Sequence, residues 1–236
     1  GPVRHELVHL APGAMPGQTD PVAVLVHAHR GICFAEFERV PPASATPDWQ
    51  QSLNDTIDAL RSATDVDDLV ERMAYRVKRM TGFDRVMVYR FDAHHNGHVI
   101  AEAREPGMES FYDLHYPASD IPAQARDLYV SNLVRYVPDV NYEPVAVEPW
   151  LDTMTLQPLD MSHAMLRSVS PIHLQYLRNM GVASTLTQSL LVGGRLWGLV
   201  ACHHRTATAL PLSLRRACYS LSITAGYMTG WFASQR

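Results

Sequence analysis

The stretch STLTQSLLVGGRLWGLVACHH, residues 184–204, decides the fold. Two apolar runs flank Gly193-Gly194, a dipeptide that tolerates the positive φ of a tight hairpin turn, so the segment reads as two antiparallel strands. Neighbouring side chains on a strand face opposite ways. Thr185 and Thr187 therefore share one face, and only one of His203 and His204 points to a given side. Upstream, FDRVMVYRFD (residues 83–92) alternates Val86, Val88 and Arg90 against Met87, Tyr89 and Phe91. HNGH then supplies a turn into HVIAEARE, residues 98–105.

Helical periods enclose this sheet. Leu53, Ile57 and Leu60 recur at helical spacing, and Asp65 stands as an N-cap before Val66, Leu69, Val70, Met73, Val77 and Met80, a run that Gly82 stops. Pro211 opens a last helix carrying Leu214, Cys218, Leu221, Ile223, Tyr227 and Trp231. Residues 50–236 thus read as an α+β domain, an antiparallel sheet flanked by helices. Ahead of it, VAVLVHAH and GICFAEFERV form a hairpin turning at Arg30-Gly31, and RHELVHLA adds a further strand. Residues 1–40 are read as part of a small domain and residues 41–49 as a linker.

Composition bounds the function. A hydrophobic content of 47% over 236 residues suffices for a core. The net charge of −4 argues against a surface built for nucleic acid or anionic lipid. No apolar run approaches the roughly 18 residues of a membrane span, and no secretory leader is read. Cys33, Cys202 and Cys218 are scattered, with no CxxC pair or metal spacing, so a reduced, cytoplasmic protein is expected. GxSxG, P-loop and HExxH patterns are missing, and an enzyme is not expected.

The middle, residues 105–182, is too long for a simple connection, and such excursions are usually functional or disordered. Its composition is not that of a disordered chain. Tyr112, Tyr116, Tyr129, Tyr136, Tyr142, Trp150 and Tyr176 lie in it, and helices are expected over residues 121–132 and 171–180. It has the composition of a wall around a pocket.

Four blocks in order, FDRVMVYRF, YPASDIPAQARDLY, LRSVSPIHLQYLRNMGV and GGRLWGLVACHH, resemble the GAF domain of phytochromes, most closely the bacterial, biliverdin-binding branch. VLVHAHRGICFAEFERV resembles the last strands of the PAS domain that precedes GAF in that family. The resemblance implies a red/far-red photoreceptor module that binds biliverdin and signals by its photoisomerisation. It implies that Asp120, flanked by Ile121 and Pro122, offers its main-chain carbonyl to the pyrrole N–H groups while its carboxylate faces the outer ring. The competing local reading of Asp120 is an N-cap for the helix that follows. By the same resemblance His173 shares a water with the pyrrole nitrogens and His203 donates to the carbonyl of the rotating ring. Arg135 and Arg167 would pair with the two propionates, assisted by Thr185, Thr187 and Tyr129, because guanidinium forks match carboxylates. Tyr89, Tyr116 and Met87 would line the rotating ring, and Tyr176 completes the cofactor-binding set. Solvated surface charge is the competing reading of both arginines.

The chain departs from the family at the thioether. Ile172 occupies the cysteine position of the plant and cyanobacterial types, and neither Cys33 nor Cys202 matches an attachment site, so covalent attachment within this chain is not supported. Residues 139–162 resemble the lasso loop, with no segment expected to pass through it. Apolar Leu221, Tyr227 and Trp231 of the closing helix could pack against another copy, so a homodimer through that helix is expected, and the family implies PHY and output domains, a histidine kinase among them, outside this chain. The alternative function is a GAF domain for another small ligand, a cyclic nucleotide or haem.

Overall fold

The computed structural model describes residues 5–40 and 49–235. Two antiparallel sheets form. The smaller has the order β1-β2-β3, from Glu6–Leu10, Val22–His29 and Ile32–Arg39. The expected linker over residues 41–49 lies outside the described residues as far as residue 48, and Trp49 already opens α1, Trp49–Arg61.

The larger sheet contains β4 (Arg85–Phe91), β5 (Gly97–Arg104), β6 (His115–Tyr116), β7 (Val134–Val137), β8 (Ser184–Val192) and β9 (Arg195–His204), in the order β6-β5-β4-β9-β8-β7. Gly193 and Gly194, at φ 56° and 76°, turn β8 into β9, a conformation that costs glycine little. One face of this sheet is the core. Val86, Val88, Leu186, Leu190, Val200 and Cys202 pack there against α2 (Val66–Thr81) and α5 (Leu212–Ser234), with Phe83 fully buried among them. Truncating Phe83 to alanine would cost about 3–5 kcal/mol. Asp65 caps α2, its carboxylate accepting from the Asp68 amide at 2.9 Å, and Gly82 closes the helix.

Three expectations need correction. The turn before β5 is made by Asp92, whose carboxylate accepts from the His94 and Asn96 amides, both at 2.8 Å. Gly97 is already in the strand, and it is glycine because a Cβ there would meet the Tyr89 ring at 1.5 Å. Leu221 cannot meet a second copy, since it is fully buried in the core, whereas Tyr227 and Trp231 are 78% and 58% exposed. Asp120 is not the helix cap. It ends a 3-10 turn, Ala118–Asp120, while α3, Ala123–Ser131, starts after Pro122 with no side-chain cap.

Candidate functional site

The other face of the sheet carries the polar residues. Strand register sets Arg135, Thr187, Ala201, Met87 and Glu102 in one row across five strands, and Thr185, His203 and Arg85 in the next. α3 and α4, Pro171–Asn179, belong to this side: Leu174 and Leu177 of α4 close a second, small core with Val137, Val140 and Val182. The alternation that puts His203 on this face puts His204 on the other, where its Nδ1 lies 3.1 Å from Asp84 and its ring 5.5 Å from that of Phe83.

One end of the site is basic. Arg135 donates to the main-chain carbonyls of Met165, at 3.0 Å, and of Arg167, and Arg167 donates to that of Ala164 at 3.1 Å. Both side chains are half-buried, which rules out solvated surface charge, and neither has a carboxylate within ion-pair distance among the described residues. Burial, then the neighbouring Arg167 charge, lowers Arg135 to about 10. Glu36 of β3, whose charge acts on both guanidinium groups, accepts from the Met165 and Leu166 amides at 3.0 and 2.6 Å, and so fixes the loop that carries Arg167. Thr185 and Thr187 are buried beside this end, with the Tyr129 hydroxyl against Thr187, where burial raises the phenol's pKa.

The other end is acidic and aromatic. The Tyr89 and Tyr116 rings lie 5.9 Å apart over Gly97. Burial raises Tyr89 to about 12, with the Asp120 charge and Tyr176 adding to it, so these four residues share one neighbourhood. Asp120 is exposed, and its carboxylate has no hydrogen bond or ion pair among the described residues. Met87 is buried, Ile121 is half-buried, and the Ile121 carbonyl accepts from Arg126.

The histidines lie between these ends. His203 is 9% exposed, and its Nδ1 is buried with no partner. Burial first, then the charges of Arg85 and His173, lower it to about 4. His173 is lowered by burial and by Arg135, and its ring is 6.5 Å from that of Tyr176. A neutral imidazole donates through one ring nitrogen and accepts through the other, and the buried Nδ1 of His203 does neither among the described residues.

Sequence reasoning missed Arg85 and Glu102. Arg85 Nε lies 3.0 Å from Glu102 Oε1, its guanidinium sits 3.7 Å over the Phe111 ring, and Glu102 accepts from Ser110 Oγ at 2.7 Å. This buried pair pins the 105–111 loop beside Tyr116. The signal was present, because Arg85 shares the odd-numbered alternation of Met87 and Tyr89. A cleft of about 710 Å³ is lined by Glu71, Tyr75, Lys78, Arg79, Glu102 and Ser110 among others, and none of the site residues expected from sequence borders it.

Comparison with known proteins decides the family. A GAF domain model matches residues 65–225. The crystal structure of the chromophore-binding domain of an unusual bacteriophytochrome from R. palustris superposes with a TM-score of 0.88 at 35% identity, covering 94% of this chain and 73% of that one. The chain belongs to the bacteriophytochrome family. A bacteriophytochrome of Pseudomonas aeruginosa is 41% identical over 193 residues, 81% of this chain and 26% of the relative. A phytochrome-like protein of Synechocystis sp. is 46% identical over 190 residues, 80% of this chain and 25% of that protein. Cyanobacterial phytochrome B of Nostoc sp. is 46% identical over 159 residues, 67% and 21% of the two chains. This bacteriophytochrome chain thus spans a fifth to a quarter of the length of these relatives. Among the described residues no helix is long and apolar enough to cross a membrane.

Proposed function

We propose that the chain is the light-sensing part of a red/far-red photoreceptor and holds biliverdin between the larger sheet and helices α3 and α4. The observation that carries this reading is the pair Arg135 and Arg167, half-buried with no carboxylate partner, opposite an unpaired Asp120. Two propionates and a cationic ring system with inward N–H groups answer both ends at once.

Arg135 and Arg167 would hold the pigment's propionates, with the Thr185, Thr187 and Tyr129 hydroxyls beside them. Asp120 presents its main-chain carbonyl to the pyrrole N–H groups, and its negative charge raises the pigment's pKa. His173 holds a water against those nitrogens. His203, kept neutral by burial, hydrogen-bonds the outer ring carbonyl, while Ile121, Pro122, Met87, Tyr89, Tyr116 and Tyr176 line the ring system. When bound, the pigment would supply red-light absorption and photoisomerisation. The reading assigns no thioether within this chain, where Cys202 and Cys218 are buried in the core and Cys33 is exposed on β3 of the smaller sheet.

Residues 1–40 are read as the closing strands of a PAS-like domain and residues 50–236 as the GAF domain. Tyr219, Ile223, Tyr227 and Trp231 recur every four residues of α5 and give a homodimer its contact face. PHY and output domains belong to the remainder of a longer, cytoplasmic protein. The test is an absorption spectrum of the folded chain with biliverdin, before and after red light. A far-red band that photoconverts is expected. The spectrum of free pigment alone would return the chain to another small ligand, such as a cyclic nucleotide or haem.

A further inference from the structure

A second cluster of ligand-type side chains lies outside the pocket, at the edge of the larger sheet. We propose that His98, Asp113 and His115 bind a divalent transition-metal cation of the zinc type. His98 of β5 and His115 of β6 are register partners, and their rings stack with centroids 4.1 Å apart at an interplanar angle of 11°. His98 Nε2 lies 2.8 Å from Asp113 Oδ1, and His115 Nδ1 lies 3.1 Å from the Asp113 main-chain carbonyl. One ligand atom from each of the three residues falls within 4.8 Å of the others.

The backbone holds this set in place. The Asp113 amide donates to the Val99 carbonyl and the Val99 amide to the Leu114 carbonyl, both at 3.0 Å, so the chain on either side of Asp113 is tied to β5. Bonds of about 2.0–2.1 Å in a tetrahedral site need ligand atoms roughly 3.3 Å apart, so the two imidazoles must turn out of their parallel stack to converge on one ion. Two imidazoles with one carboxylate favour zinc, nickel or copper over calcium or magnesium, and three protein ligands leave a position for water. Side-chain alternation sets the pair on the face opposite Tyr116, the register partner of Gly97, so the ion would not enter the pigment pocket. It would clamp β6 to β5 one residue before Tyr116 and five before Asp120. The competing reading is an exposed His98–Asp113 ion pair with Asp113 73% exposed, which would contribute little and bind nothing.

The inference does not depend on the pigment, and its test separates the two. Zinc chloride is titrated against a chromophoric chelator in competition with the full chain, without biliverdin because bilins themselves chelate zinc, and then repeated with the pigment loaded. One equivalent bound in the micromolar range is expected, weakened about tenfold or more in His98→Gln and in His115→Gln. His94→Gln and His163→Gln should bind as the parent does. His94 and His115 are exposed and His98 is half-buried, and circular dichroism reports whether each variant is folded. Copper loading adds a second readout, since electron paramagnetic resonance should count two coordinating nitrogens. Equal zinc affinity in the parent and both ligand variants, or no saturable binding at millimolar zinc, would overturn the assignment.

Discussion

Replacing His203 with glutamine should flatten the acid limb of the chain's stability. In the fold its imidazole is 9% exposed, has an unpartnered Nδ1, and faces the positive charge of Arg85. Its pKa is lowered to about 4, against about 6.5 for a histidine in the unfolded chain. Above pH 6.5 both states hold the imidazole neutral and the group adds no pH dependence. Between roughly 6.5 and 4 the unfolded chain binds a proton that the fold refuses, so stability falls as pH falls through that window, and below it the loss is complete. The gap is roughly 2.5 pH units, which at about 1.36 kcal/mol per unit sets a ceiling of roughly 3 kcal/mol. His27, His163 and His173 are lowered as well, so the parent should lose more than this one group accounts for. The assay is urea unfolding of parent and His203→Gln, without pigment, at half-unit steps from pH 7 to 4.5. The variant's slope of unfolding free energy against pH should be shallower by up to about 1.4 kcal/mol per unit. Parallel lines across the window would show that His203 is already protonated or solvated in the fold, and the neutral donor assigned to it would go.

Gly97→Ala drives a methyl group into the Tyr89 ring, which must leave its position over β5; a loss of about 1–3 kcal/mol and a shifted pigment band are expected from thermal melts and spectra. Asp120→Asn should still bind biliverdin, because the main-chain carbonyl stays, with a lowered pigment titration midpoint and impaired red-light conversion. Absorbance against pH reads the midpoint, and one identical to the parent's would count against the charge argument. Biliverdin dimethyl ester should bind about tenfold or more weakly than the free acid, since esterification removes both partners of Arg135 and Arg167; fluorescence quenching titrations measure the ratio. On acid denaturation the pigment should leave the polypeptide, and zinc-induced fluorescence on the denatured band would show the thioether that Ile172 leaves without a sulfur.

What could be read in advance followed from period. The alternation in residues 184–204 sent His203 and His204 to opposite faces, and the structure separates them as that period requires. The Asp65 cap and Gly82 stop were legible because capping is local chemistry. Asp120 was less so. Its sequence suits an N-cap, and only the backbone path through the 3-10 turn and Pro122 takes its carboxylate away from the helix. Leu221 fits a helical stripe read in one dimension, but the side of α5 turned to β8 is fixed by tertiary packing. Glu102 and Arg85 escaped notice because charged residues inside a strand read as solvent-facing. Their burial depends on a loop, residues 105–111, that folds over them and offers Ser110 and Phe111 as partners.

The strand order gives the site its polarity. β7 and β6 are the two edges of the larger sheet. Arg135 stands on β7, and β6 leads directly into the turn that ends at Asp120. The positive and negative ends are therefore set by connectivity, on elements that cannot exchange places without unmaking the sheet. Between them the row runs through Thr187 and Ala201, short side chains that keep the floor shallow, before Met87 and the Tyr89 ring build it up again. The proposed pigment, flat and elongated with its acids on one flank, would fit that floor in one sense only. Reversing it would set its carboxylates against the Asp120 charge and leave the two half-buried guanidinium groups without an anionic partner. In the proposed complex orientation thus follows from topology, while Asp120, His173 and His203 are left to act on the conjugated system itself.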